Sequence, residues 1–371
     1  MQAATQTNNV STPTPKPGIM DIAPYVGGKS EAKSGVKVVK LSSNETPLGA
    51  SPLAAKAFVE SAGTLHRYPE GSCLRLREAI SEVHKVPAEQ LVCSSGSDEL
   101  IGMLIHAYAG EGDEVLMSEY GFLMYKIYGQ SYSASIVKAP EKNLRTDVDA
   151  MLAAVTPRTK IVFVANPNNP TGSYITKDEL ARLHAGLPSH VLLVVDGAYS
   201  EYVTNPDYSD GKELVANSDN VVVLRTFSKI YGLSALRLGW AYAPANICDV
   251  LNRIRGPFNV SIPAMEAGIA AVRDLEFTNK TRDFNNEWLA WLHKEISALG
   301  LTVYPSVANF VLVEFPEGKH GAKEANGFMT ERGLIPREVG GYGLPNCLRI
   351  SIGLEEDNKA VVATLAEFMK S

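Results

Sequence analysis

The 371-residue sequence predicts an α/β fold: a large domain with a mostly parallel sheet flanked by helices, joined to a smaller α+β domain. Three observations predict it. Short β-rich runs alternate with helical patterns through the middle of the chain. Several of those runs are apolar on both faces, as expected of parallel strands covered by helices on either side. After about Pro257 the alternation gives way to a long helical stretch followed by short strands.

Taken in order, the first eighteen residues are polar, rich in Thr, Asn and Pro, and carry one basic residue, Lys16. They lack the apolar run of a signal peptide and the Arg of a transit peptide, so residues 1–18 read as a disordered tail. EQLVCSS (89–95) reads as a strand, followed by a helix from Asp98 to about Tyr108. Further strands are DEVLMS (113–118), SASIVKA (133–139), KIVFVA (160–165), HVLLVVD (190–196) and NVVVLRTFS (220–228). Thr146–Ala154 and Lys177–Ala185 have helical patterns between them. A helical stretch over about 263–298 leads into LTVYPS and ANFVLVEF, and LRISIG precedes a last helix, Glu355–Met369. The large domain is expected over 45–255, and the small one from 19–44 together with 256–371.

Composition narrows the function. The net charge of −6 is spread along the chain with no long Lys/Arg run, which argues against a nucleic-acid partner. No apolar segment approaches the length of a membrane span. Cys73, Cys93, Cys248 and Cys347 form no Cys-x-x-Cys pair; they read as small core residues in a reducing cytoplasm. The His residues show no metal-ligand spacing, so no metal site is expected. GGKS (27–30) resembles the tail of a nucleotide loop, but Ala23 stands where that loop requires glycine. Asn44, Asn259 and Asn279 open Asn-x-Ser/Thr triplets, which without a secretory signal are chance matches.

Four segments carry candidate chemistry. In VCSSGSDELIGMLIHAYA a strand ends in Ser94-Ser95-Gly96-Ser97 and a helix begins at once. A helix N-terminus offers free N–H groups and partial positive charge, which suits a phosphate dianion; an ordinary cap by Ser97 reads the same residues. ANPNNPTG (165–172) sets a tight turn at the carboxyl end of a strand, where α/β proteins place ligands, with Asn168 and Asn169 as donors. VLLVVDGAY (191–199) ends a buried strand in Asp196, with Tyr199 three residues on. A buried carboxylate needs a positive partner, for which a protonated pyridine nitrogen is suitable. VVVLRTFSKIYGLSALRLGW (221–240) runs a strand into Thr226, Ser228 and Lys229, with Arg237 beyond. Partial burial gives lysine a neutral amine able to form an imine, while the hydroxyls and Arg237 suit phosphate oxygens.

Together these segments resemble the fold-type I, pyridoxal-phosphate-dependent class I/II aminotransferases, and specifically the histidinol-phosphate aminotransferase family. The resemblance runs from about Ile22 to the C-terminus. SSNETPLG (42–49), HRYPEG (66–71), GSDELI (96–101), NPNNPTG, DGAYSEY (196–202), TFSK, LRLGW and LRISIG (348–353) carry it. It implies pyridoxal 5′-phosphate as cofactor, Lys229 as the Schiff-base lysine and proton shuttle, and Asp196 as partner of the ring nitrogen. It also implies Asn169 and Tyr199 at the 3′ oxygen, Tyr120 stacked on the ring, and Ser97, Asp98, Thr226, Ser228 and Arg237 around the phosphate. Arg349 matches the clamp for a substrate carboxylate. Arg337, Tyr25 and Tyr68 match positions that meet a substrate phosphate, Tyr68 from the neighbouring subunit of a homodimer. The implied reaction is ping-pong transfer from histidinol phosphate to 2-oxoglutarate, giving imidazole acetol phosphate and glutamate.

The sequence departs from the family in NETP for the commoner NENP and SALRLG for AGLRLG, which leaves substrate preference open. A broad aromatic (Phe/Tyr) aminotransferase shares much of the pattern, and a phospho-amino-acid decarboxylase is a further alternative. A non-enzymatic regulator would need a DNA-binding module, for which the N-terminal tail is too short.

Overall fold

Seven strands form the large sheet in the computed structural model, which describes residues 13–24, 27 and 37–371. In chain order they are β1 (Leu91–Ser94), β2 (Glu114–Ser118), β3 (Ser135–Ala139), β4 (Thr159–Ala165), β5 (Leu192–Asp196), β6 (Val221–Thr226) and β7 (Gly239–Tyr242). Their order across the sheet is β1-β7-β6-β5-β4-β2-β3. The pairings from β6 through to β3 are parallel, and β7 runs antiparallel to both its neighbours.

Alternation along single strands explains why the runs read as unbroken apolar. Val162, Val164, Leu193, Val195, Val221 and Val223 enter one core, while Ile161, Phe163, Leu192, Val194, Val222 and Leu224 enter another on the opposite face. Helices therefore cover both faces of β4, β5 and β6, as the sequence leads one to expect. Of the seven strands β7 is the one not foreseen, because the sequence around it is read only for the strand before Thr226 and for Arg237 beyond. Its insertion depends on Gly239, where a Cβ would lie 2.5 Å from the Ser97 amide nitrogen.

The predicted helical stretch over 263–298 is two helices, Ile262–Arg273 and Leu275–Ser297. Asp274 divides them: its carboxylate accepts from the Phe277 N–H at 3.1 Å as N-cap of the second, and from the Ser51 hydroxyl. The first helix packs on helices Pro52–Glu60 and Leu74–His84 in a core of the large sheet. The second covers a smaller antiparallel sheet of β8 (Thr302–Tyr304), β9 (Phe310–Glu314), β10 (Arg337–Glu338) and β11 (Cys347–Ser351), ordered β8-β9-β11-β10. Val311, Val313, Leu348 and Ile350 of that sheet share a core with Leu292, Ile296, Val361 and Leu365. Val39–Lys40 pairs with Leu334–Ile335, tying the chain's early segment to this second body. Among the described residues, no helix is long and apolar enough to cross a membrane.

Candidate active site

The carboxyl ends of β4, β5 and β6 open on one cleft, the position at which parallel sheets place ligands. It encloses about 590 Å³ of empty space, mouth included. Nine residues singled out from sequence line it: Ser97, Asp98, Asn169, Asp196, Tyr199, Thr226, Ser228, Lys229 and Arg237; Phe122, Ala165, Pro167 and Ala198 complete the wall.

One end of the cleft is a cradle for an anion. Gly96 precedes helix Ser97–Tyr108 at φ +80°, and a Cβ there would lie 2.5 Å from Nη2 of Arg237, so only glycine lets the guanidinium lie across the helix start. Arg237 donates through Nη1 to Ser228 Oγ at 3.2 Å and through Nη2 to the Asp98 carboxylate at 3.2 Å. The Ser228 N–H donates to Thr226 Oγ1 at 3.0 Å. A guanidinium, two hydroxyls and the free N–H groups of a helix converge here, which is the donor set of a phosphate site.

Asp196 ends β5 in the floor of the cleft, 4% exposed. Burial raises its carboxyl to about 6, against the pull of hydrogen bonds from the Tyr125 hydroxyl at 2.7 Å and the Ala198 N–H at 3.2 Å. Lys229 lies 5.7 Å from the centre of the Tyr199 ring, and its Nζ donates to the Ser43 carbonyl at 3.2 Å. Burial, and then the charge of Arg349, pulls its amine down to about 8, so about a tenth of it is neutral at pH 7. Burial also holds the Tyr199 phenol above its usual range, and its hydroxyl accepts from Asn44 Nδ2 at 2.9 Å.

Arg349 is buried on β11, donating to Asn169 Oδ1 at 2.5 Å and the Ser42 carbonyl at 2.7 Å, while its buried Nε has no hydrogen-bond partner among the described residues. Arg337 stands directly opposite it in the β10–β11 register, which puts both side chains on one face of the small sheet.

One expectation changes. Tyr120 does not line the cleft: the turn after β2 carries its ring toward Gly343 and the cluster of Leu312, Val339 and Tyr342. Phe122, two residues on, faces the cleft in its place. Tyr68 is 82% exposed and stacks on Phe258 (4.7 Å), outside the cleft of its own chain. Tyr25 lies outside the described residues. Sequence reasoning missed Tyr125 and Asn44, which hold Asp196 and Tyr199. Each acts across a long stretch of chain, so only the i, i+3 spacing of Phe122 and Tyr125 at the start of a helix hinted at an inward face. Among the described residues no group of three or more His, Cys, Asp or Glu side chains could hold a metal ion.

A cleft that keeps one lysine partly neutral, one carboxylate short of a cation and one end open to phosphate is built for a phosphorylated pyridine aldehyde: the class is that of the pyridoxal-phosphate enzymes. Residues 36–365 match the family described as Aminotransferase class I and II, and the chain belongs to that family. A histidinol-phosphate aminotransferase of Rhodopseudomonas palustris (strain BisB18) is 53% identical, the match covering 97% of this chain and 99% of the relative. One from Paramagnetospirillum magneticum is 54% identical with the same coverage. Among solved structures, histidinol-phosphate aminotransferase from Sinorhizobium meliloti in complex with pyridoxal-5′-phosphate is similar at a TM-score of 0.89 and 26% identity, covering 99% of this chain and 98% of that one.

Proposed function

We propose that this chain transfers the amino group of histidinol phosphate to 2-oxoglutarate with pyridoxal phosphate as cofactor. The observation that carries the reading is the convergence of Lys229, Asp196 and the Ser228–Arg237 cradle on one cleft. These residues fit the cofactor. A cationic ring nitrogen would relieve the buried Asp196 carboxylate, and the cradle matches a phosphate dianion. Bound pyridoxal phosphate supplies an electron sink for the pair left when a proton leaves the substrate's Cα.

The chain's own groups do the rest. Lys229 would hold the cofactor through Nζ, and that nitrogen, when released by the substrate's amine, is the base placed to move the Cα proton. Tyr199 and the Asn169 amide would hold the 3′ oxygen. Phe122, set edge-on to Tyr125 at 5.7 Å, takes the ring-covering place first assigned to Tyr120. Arg349 and Arg337, in register on one face, attract an anion: the substrate's phosphate in one half-reaction, a carboxylate of 2-oxoglutarate in the other. The 53–54% identity to histidinol-phosphate aminotransferases supports this substrate over Phe or Tyr.

We place the enzyme in the cytoplasm, in keeping with its four free, buried cysteines. A homodimer accounts for the exposed apolar surface of Leu53, Phe58, Val59, Leu65, Tyr68 and Phe258, and would carry Tyr68 to the partner's site. Borohydride reduction of the loaded enzyme followed by peptide mapping tests the central assignment. The adduct is expected on Lys229, with turnover lost in Lys229→Ala; an adduct on another lysine, or substantial turnover by the variant, overturns it.

A further inference from the structure

Three consecutive residues, Ser42, Ser43 and Asn44, each give one group to the site. The Ser42 carbonyl accepts from Arg349 Nη2 at 2.7 Å, the Ser43 carbonyl from Lys229 Nζ at 3.2 Å, and Asn44 Nδ2 donates to Tyr199 Oη at 2.9 Å. The segment belongs to no helix or strand, yet Ser42 and Asn44 are almost wholly buried.

Hydrogen bonds around Asn44 agree on one direction of donation. Its backbone N–H donates to Ser351 Oγ at 2.9 Å, so that hydroxyl's own proton is free to go to Asn44 Oδ1, 3.0 Å away. The amide's oxygen therefore faces Ser351 and its nitrogen faces Tyr199. Tyr199 Oη accepts from it at 2.9 Å, which leaves the tyrosine's proton for the cleft. The backbone of Asn44 is at φ +56°, a conformation asparagine tolerates better than most side chains, and its carbonyl accepts from Asn309 Nδ2 at 2.9 Å.

Resting on the cofactor reading above, we propose that Asn44 is a positioning residue that holds Tyr199 as a donor toward the cofactor's 3′ oxygen. The same segment joins that donor to the anion clamp. Ser351 and Arg349 lie two residues apart on β11 and bond to Asn44 and Ser42, so a movement of that strand on anion binding shifts Tyr199's partner with it.

The test is the pH titration of the loaded enzyme's visible absorbance, which reports protonation of the Lys229–cofactor linkage. Arg349, Asp196 and Tyr342 face Tyr199, and Arg349, Asp98, Glu45 and Arg237 face Lys229; the substitutions leave all of them in place. Tyr199→Phe, which removes the donor, is expected to raise the apparent pKa by about one unit, a tenfold change in the protonation equilibrium. Asn44→Gly keeps the left-handed backbone and deletes the amide, and it should raise the value in the same direction by roughly half a unit or more. Ser351→Ala, which releases the amide to turn and also takes the acceptor from the Asn44 N–H, should give a smaller rise. The Asn44→Gly/Tyr199→Phe double variant should match Tyr199→Phe alone, because the amide acts through the phenol. Wild-type titration of loaded Asn44→Gly, or a double variant that sums both rises, overturns the proposal. A wild-type enzyme with no titrating Lys229 linkage would instead overturn the cofactor reading itself.

Discussion

Replacing Asp196 by asparagine is expected to stabilise the cofactor-free protein while destroying its chemistry. Burial raises the carboxyl from an ordinary 3.8 to about 6. Between those two values the folded protein keeps a proton that the unfolded chain has lost, so stability falls as pH rises through that window and stays low above it. The displacement corresponds to a loss on the order of 3 kcal/mol above pH 6, and about half of that at pH 5. Asparagine has the same shape and no charge; it can still accept from the Ala198 N–H, and its amide can donate to the Tyr125 oxygen. Urea unfolding of the cofactor-free proteins, compared by midpoint at a common slope, reads the effect. Asp196→Asn should gain roughly 2–3 kcal/mol over wild type at pH 8, and distinctly less at pH 5. With pyridoxal phosphate added, wild type should gain the more, since only its carboxylate is relieved by a cationic ring, and turnover should be confined to it. A variant no more stable at pH 8, or a gain independent of pH, would refute the claim that this carboxylate is held in a costly state for a cationic ligand.

Other predictions follow from the same geometry. Gly96→Ala puts a Cβ 2.5 Å from the Arg237 guanidinium on a left-handed backbone, and should weaken pyridoxal phosphate at least tenfold, about 1.4 kcal/mol, measured by fluorescence titration. In the cofactor-free protein, acylation of Lys229 followed by mass spectrometry should rise with a midpoint near pH 8. Arg337→Ala should lower kcat/KM for histidinol phosphate by roughly 10–100-fold, the worth of a charge-assisted hydrogen bond, and leave glutamate far less affected; an equal loss for both would remove its role in selectivity.

Much of this was legible in the sequence because the signals were local. Apolar runs on β4, β5 and β6 marked a sheet covered on both faces, and Asn169, Asp196 and Lys229 sit at or just beyond the ends of those strands. Features fixed by packing were not legible. β7 is only four residues long and follows directly on a segment read for the phosphate-binding chemistry of Ser228 and Arg237. The break at Asp274 is carried by one capping carboxylate inside a continuous helical pattern. Tyr120 and Phe122 are both aromatic and follow the same strand, so periodicity could not say which ring faces the cleft; the turn after β2 decides it. Asn44 and Tyr125 reach Tyr199 and Asp196 over 155 and 71 residues of chain, distances at which spacing carries no information.

The most direct test compares kcat/KM for histidinol phosphate, phenylalanine and tyrosine on the loaded enzyme, with 2-oxoglutarate as acceptor. A preference of about a hundredfold or more for histidinol phosphate, roughly 2.7 kcal/mol in the transition state, is the predicted result. Comparable values for all three would contradict the assignment and make this a broad imidazole/aromatic aminotransferase, with Arg337 merely tolerating the phosphate.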